Sequence, residues 1–422
     1  MSEKLLITGK QTIKGRVKVN GAKNAAVAIL PAALLTEGQG VISNLPRITD
    51  IHMLVEILSA LGADISFNKE GSLVVNSAGV NRFDPPPQLV NRLRASYYLM
   101  GSLLGRFKQV EIPMPGGCDL GPRPIDQHIK GFSALGAQVE MERGMVILKA
   151  KKLTGAHIYL DVISVGATIN IMLAAVLAEG KTVIENVARE PEIVDVANFL
   201  NAMGAHVVGA GTDVIKIQGV KELGGVEHNV IPDRIEAGTF MIAAAATGGE
   251  AVIEEVIPKH LDSIIAKLRE VGKELEVGPD WIKVMANNPF YPLDLKTFPY
   301  PGFPTDLQPP VMVLLTMAPG LSFITENVFE RRFRHVDELC KMGAKIKLEG
   351  RTAIIEGGHE LTGASVQAGD LRGGAAFIIA GLISEGETYL DGLEHIDRGY
   401  ERIEERFSGL GVKLQRITSE KP

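Results

Sequence analysis

The chain has 422 residues, 45% hydrophobic and 22% charged, with a formal net charge of −6. That is the composition of a folded globular protein of two or three domains, and it excludes a disordered chain and a dedicated nucleic-acid binder. The first fifteen residues lack an apolar signal region, the longest apolar run (25–35) is too short to span a membrane, and two cysteines make no disulfide framework. A cytoplasmic location follows, with no nucleic acid and no membrane as partner.

A strand-like region, residues 3–20, comes first, and after it one pattern recurs six times. Each copy has a helix rich in small and apolar residues, such as AAVAILPAALL (25–35), ASYYLMGSLLG (95–105), SVGATINIMLAAVLAEG (164–180), EAGTFMIAAAA (236–246) and GGAAFIIAGLISEG (373–386). A Gly-containing turn and an alternating strand follow, then an amphipathic helix of about three turns. In the first copy Ile51, Leu54, Leu58 and Leu61 form its apolar stripe. In the fifth, Cys340 falls on that stripe with Val336 and Leu339 and is expected in the core. A glycine ends each amphipathic helix by supplying a left-handed residue: Gly62, Gly136, Gly204, Gly272, Gly343 and Gly411, at intervals of 68 to 74. At least one further strand completes each copy. Six small α/β copies divide most naturally into two domains of three, 22–231 and 1–21 plus 232–422, with the N-terminal strand completing the second.

Polar residues gather at the start of the small-residue helices. In chain order they are Lys23 and Asn24, Arg94 and Ser96, Ser164 and Thr168, Asp233 with Arg234 and Glu236, Thr305 and Asp306, and Asp370 and Arg372. Helix N-termini carry free N–H groups and a partial positive charge, so lysines and arginines at that phase suit an anion. Ordinary capping accounts equally well for the short polar residues.

Between the second helix and its successor lies IPMPGGCDLGPRPID (112–126), a loop dense in glycine and proline. Arg123 follows Cys118 by five positions, and a guanidinium nearby lowers a thiol pKa and makes it a better acid or nucleophile. An inert loop thiol is the other reading. Two basic stretches, VFERRFRHVDEL (328–339) and HIDRGYERIEERF (395–407), read mainly as solvated helix faces, with Arg332 and Arg398 at matching places after their strands. There is no HExxH, no paired Cys-x-x-Cys, no complete P-loop at Gly180-Lys181-Thr182, no G-x-G-x-x-G after a strand and no G-x-S-x-G. The sequence therefore leads one to expect no metal and no cofactor.

Several of these segments, PGGCDLGPRPID, SVGAT, AREPEIVD, IPDRIEAGTF, FPTD, VFERRF and DLRGG, stand in the order found in the enolpyruvyl transferases, and from GAKNAA to HIDRGYERIE the chain resembles the branch of that family acting on UDP-N-acetylglucosamine. The resemblance implies an α/β fold, a two-domain inside-out α/β barrel built from six βαβαββ repeats, three per domain. It implies transfer of enolpyruvyl from phosphoenolpyruvate to the 3′-hydroxyl of UDP-N-acetylglucosamine, with phosphate released after addition and elimination, as a monomer, in the first committed step of peptidoglycan synthesis. In that scheme Cys118 is the acid that protonates the enol, and Asp306 takes the proton of the hydroxyl. Lys23, Arg123 and Arg398 contact phosphate, and Arg332 and Arg372 clamp the carboxylate. Asn24 holds the sugar or the intermediate. Arg94, Arg123, Pro124, Ile125, Asp126, Gln127, Ser164, Val165, Gly166 and Val328 meet the nucleotide sugar. Val162 departs from the lysine that some members carry two residues before the SVGAT serine. The runner-up, 5-enolpyruvylshikimate-3-phosphate synthase, lacks the PGGC loop; a non-catalytic paralogue conflicts with intact Lys23, Cys118, Asp306 and Arg398.

Overall fold

The protein's structure, a computed structural model, describes residues 2–114, 124–285 and 289–419. These fall into two compact units, residues 21–114 with 124–231 and residues 2–20 with 232–419.

In the first unit the small-residue helix Tyr98–Phe107 packs against both Lys23–Ala32 and Val165–Ala175. Their composition explains their place. A helix apolar on every side has no solvent face, and residues 166–175 are all buried. Small side chains let the backbones approach: a Cβ on Gly101 would lie 2.4 Å from the Asn170 carbonyl oxygen, and the Gly101 N–H donates to Asn170 Oδ1 at 2.8 Å.

Sheets flank these helices with one recurring order. In the first copy Gln39–Ser43 runs parallel to Val226–Asn229 and antiparallel to Leu73–Asn76, with Asp64–Phe67 at the edge. The third copy repeats this with Lys181–Glu185 between His157–Tyr159 and Val214–Gln218, and His206–Val208 at the edge. Among the described residues the second copy has three strands, Gln109–Pro113, Met145–Lys149 and Gln138–Glu142, and a backbone bond from Glu111 N–H to Phe83 O (3.0 Å) stands where the fourth would pair.

In the second unit the helices Arg234–Ala246, Gln308–Thr316 and Leu371–Ile383 all pack against one another. Its sheets run Lys14–Lys18, Glu250–Glu254, Trp281–Met285, Glu274–Val277; then Asp294–Lys296, Gly320–Thr325, Thr352–Gly357, Lys345–Glu349. In the last sheet, Ser365–Gln367, Glu387–Asp391, Ser2–Thr8, Leu414–Ser419, the N-terminal strand takes the third place, pairing antiparallel with both neighbours. The first strand of the chain therefore supplies what the sixth copy lacks.

All six period-marking glycines have φ between 84° and 107°, a region closed to most side chains. Ile51, Leu54, Leu58 and Leu61 are buried as their spacing predicts. Cys340 departs from expectation. The helix Val336–Lys341 is only six residues long, and Val336, Leu339 and Met342 carry its buried stripe. Cys340 sits on the flank of that stripe and is exposed.

Candidate active site

Each unit holds its own set of the expected site residues. In the second unit they converge. Asp306 lies in a short 3₁₀ turn, Thr305–Leu307, that leads into the Gln308–Thr316 helix. Arg372 enters from the first turn of the Leu371–Ile383 helix and donates to Asp306 Oδ2 through Nε (3.0 Å) and Nη2 (2.9 Å). Arg332 occupies the other oxygen, with Nη2 3.2 Å from Oδ1, and its Nε donates to the Thr305 carbonyl at 3.1 Å. The two arginine side chains are 1% and 5% exposed and that of Asp306 26%, so the carboxylate is the cluster's opening to solvent.

The surroundings hold this cluster in place. The Asp370 carboxylate caps the Leu371–Ile383 helix by accepting from the N–H groups of Arg372 (2.9 Å) and Gly373 (3.1 Å). It also lies 3.8 Å from Arg332 Nη1. Burial alone would lower the Arg372 pKa, but the charge of Asp306, with Tyr400 and Asp233 adding, raises it above the ordinary arginine value. The Arg372 guanidinium lies 5.5 Å from the centre of the buried Tyr400 ring. His335, also buried, bonds through Nδ1 to the Arg332 carbonyl at 3.1 Å, and burial pushes it down to about 4. Arg398 is half-buried in the segment that follows the short helix Leu393–Ile396.

Sequence reasoning missed Glu326, which is 1% exposed. Its Oε1 accepts from Thr297 Oγ1 (2.8 Å) and from the N–H groups of Val328 (2.7 Å) and Phe329 (3.0 Å), while Oε2 accepts from Thr305 Oγ1 (3.0 Å). One buried carboxylate thus positions both the Val328 loop and the residue before Asp306. The acidic residue that also ends the strands Lys181–Glu185, Glu250–Glu254 and Glu387–Asp391 is the sequence signal for it.

In the first unit, Lys23 opens its helix, and its ammonium lies 2.7 Å from the buried Asp50 carboxylate, another partner the sequence did not disclose. Asn24 beside it is half-buried. Arg94 stands 6.0 Å from the centre of the Tyr97 ring. Ser164 proves to be a cap: its Oγ accepts from the Ala167 N–H at 3.2 Å. Val165 is half-buried, and Gly166 is required by crowding, since a Cβ there would lie 2.9 Å from Tyr97 Oη and 3.1 Å from His128 Cε1. Pro124 and Asp126 are exposed and Ile125 is buried. Gln127 is a buried brace: Nε2 donates to Asp126 (2.7 Å) and Asp161 (3.1 Å), and Oε1 accepts from the Asp161 N–H (2.9 Å). Cys118 and Arg123 lie outside the described residues. Asp233 caps its own helix, and Glu236 accepts from the Asn20 N–H and from Arg406, so both serve packing.

His128 supplies a pH test. Burial, aided by the Arg94 charge and opposed by Asp126, pushes it from 6.5 down to about 4. Between those values the unfolded chain binds a proton that the folded chain does not, so stability falls as pH drops from 6.5 towards 4. The loss should be on the order of 3 kcal/mol. Denaturant midpoints across that range should fall less steeply in His128→Asn than in the wild type; parallel curves would refute the assignment.

The arrangement can hold anions and move a proton: two buried guanidiniums meet one partly open carboxylate in one unit, and helix starts carry Lys23 and Ser164 in the other. Among the described residues no cluster of three or more His, Cys, Asp or Glu side chains suits a metal ion, and no helix is long and apolar enough to cross a membrane.

Comparison with known proteins agrees with this chemistry. A UDP-N-acetylglucosamine 1-carboxyvinyltransferase 3 from Caldanaerobacter subterraneus subsp. tengcongensis is 57% identical over 98% of this chain and 99% of its own length. The UDP-N-acetylglucosamine 1-carboxyvinyltransferase of Clostridium botulinum is also 57% identical, over 98% of this chain and all of the relative. Among solved structures, the enolpyruvyl transferase NikO from Streptomyces tendae superposes with a TM-score of 0.90 at 24% identity, covering 99% of this chain and 100% of that one. An EPSP synthase from Acinetobacter baumannii gives 0.76 at 20% with the same coverage; at these identities the likeness concerns the fold. The family model for EPSP synthase (3-phosphoshikimate 1-carboxyvinyltransferase) matches residues 7–407, and the chain belongs to this family of enolpyruvyl transferases.

Proposed function

We propose that this chain transfers the enolpyruvyl group of phosphoenolpyruvate to the 3′-hydroxyl of UDP-N-acetylglucosamine, releasing phosphate, as the committed step of peptidoglycan synthesis. The observation that carries the reading is full-length identity of 57% to relatives named for that acceptor, in a chain whose Asp306 is gripped by Arg332 and Arg372. Cys118 protonates carbon 3 of the enol, which makes carbon 2 electrophilic, and Asp306 accepts the proton of the attacking hydroxyl. Arg332 and Arg372 offer forked donors to a carboxylate, and Lys23, Arg123 and Arg398 neutralise phosphate. Asn24, Arg94, Pro124, Ile125, Asp126, Gln127, Ser164, Val165, Gly166 and Val328 form the contacts to the nucleotide sugar.

The finer architecture belongs to the same proposal. The all-buried helices and the six flanking sheets support an inside-out α/β barrel of six βαβαββ repeats, three per domain, with domains 22–231 and 1–21 plus 232–422. The enzyme works in the cytoplasm, as a monomer, without metal or cofactor.

Phosphate release from phosphoenolpyruvate tests the reading. It should require UDP-N-acetylglucosamine and be absent with shikimate 3-phosphate. Release with shikimate 3-phosphate alone, or with neither acceptor, would refute it.

A further inference from the structure

The segment that carries Arg398 is anchored on both sides. On its far side Tyr400 is 2% exposed, shares a hydrogen bond with Thr239 Oγ1 at 2.8 Å, and faces the Arg372 guanidinium. Between them Gly399 lies so close to the first residue of the Leu371–Ile383 helix that a Cβ would fall 2.4 Å from Leu371 Cδ2. On the near side the Asp397 carboxylate is held by Arg416, from the last strand. Arg416 Nη1 and Nη2 grip the two Asp397 oxygens at 3.0 and 2.9 Å. The same guanidinium forks onto Glu404 through Nε (3.0 Å) and Nη2 (3.2 Å), and Nη1 reaches Glu3 at 3.1 Å.

All five polar hydrogens of one side chain are thus committed to carboxylates on three segments, and the Asp397 bonds do most to raise the Arg416 pKa above its ordinary value. Surface ion pairs alone contribute little, but a guanidinium about a quarter exposed, with two bidentate grips, fixes geometry. Arg416 lies opposite Leu5 in the pairing with the N-terminal strand, so the hub joins both chain ends to the segment before Arg398.

The geometry points to Arg416 as a positioning residue for the reaction, holding Arg398 through Asp397 in the segment whose Tyr400 faces Arg372. The inference rests on the proposed function for the role of Arg398 as a phosphate contact. Its three arms provide the control, because only the Asp397 arm adjoins Arg398. Misplacing a ligand-holding group by about an ångström costs up to about 10²-fold.

Four variants separate positioning from stapling: Arg416→Gln, Asp397→Asn, Glu404→Gln and Glu3→Gln, assayed for phosphate release and melting temperature. Arg416→Gln and Asp397→Asn should raise KM for phosphoenolpyruvate about 10- to 100-fold while leaving KM for UDP-N-acetylglucosamine within about twofold. Glu404→Gln should lower the melting temperature as much as Asp397→Asn yet keep the wild-type KM, and Glu3→Gln should change neither KM by more than about twofold. An equal KM rise in Glu404→Gln, or wild-type KM in Asp397→Asn, would overturn the inference. Hydrogen exchange judges it without turnover: amides 398–400 should exchange faster in Asp397→Asn and not in Glu3→Gln, and unchanged exchange would overturn it. A wild-type protein that releases no phosphate would instead refute the functional reading.

Discussion

Asp306→Asn is expected to lower turnover by about 10²–10⁴-fold, the range of a lost general base. The variant keeps the shape of the side chain and removes its charge. Arg332 and Arg372, both buried, would then lose their closest carboxylate, leaving Asp370 at 3.8 Å from Arg332 and the charge of Asp233 acting on Arg372. Removing one partner of a buried pair costs about 3–5 kcal/mol, and the 26% exposure of Asp306 places the expectation at the low end. Turnover and denaturant stability should therefore both fall. Phosphate release near the wild-type rate would exclude Asp306 as the base, even if stability fell as expected. Arg372→Lys offers a second view. It keeps the charge and loses the double grip on Asp306 Oδ2, so it should weaken phosphoenolpyruvate binding more than it slows the chemical step.

Cys118 is the second large effect. Cys118→Ala should lose about 10²–10⁴-fold in phosphate release, whereas Cys118→Asp should retain measurable activity, because a carboxyl still donates a proton. Fosfomycin, an epoxide resembling phosphoenolpyruvate, should label Cys118 in the wild type and spare Cys118→Asp, whose carboxylate is the poorer nucleophile. The exposure of Cys340 makes it the internal control for this experiment. Its thiol pKa lies above the usual value, chiefly through partial enclosure of the sulfur, with the charge of Asp337 adding, so it holds less thiolate than an ordinary cysteine. Peptide mass spectrometry should find the adduct on Cys118. An adduct on Cys340, or full activity in Cys118→Ala, would sink the assignment.

Much of the local structure was determined by the sequence alone, because it depends on neighbours along the chain. A glycine every 68 to 74 residues implied a left-handed stop, and all six have positive φ. Runs of alanine and other small apolar residues implied helices, and the structure buries one of them, Arg234–Ala246, throughout. The polar positions at helix starts were also legible, although their division was not. Ser164, Asp233 and Asp370 turned out to be caps, as short polar side chains at helix starts usually are. Long cations reach past the cap: Lys23 to Asp50, Arg372 to Asp306.

Only the tertiary structure decided who those partners are. Arg332 and Arg372 meet Asp306 across 26 and 66 residues of chain, and Arg416 meets Glu3 across 413. No periodicity encodes such pairings, since each arises when distant elements, of one copy or of two, pack their helix starts or strand edges together. Glu326 was overlooked for the same reason: at a strand end it looks like any solvated glutamate until Thr297, Thr305 and the Val328 loop close over it. Cys340 shows the converse failure. Its spacing placed it on an apolar stripe, but a helix of six residues buries only the narrow line of Val336 and Leu339, and one step around the axis is already in water. Local pattern determines which face of an element is apolar; the width of that face and the partners of its charges are set by what packs against it.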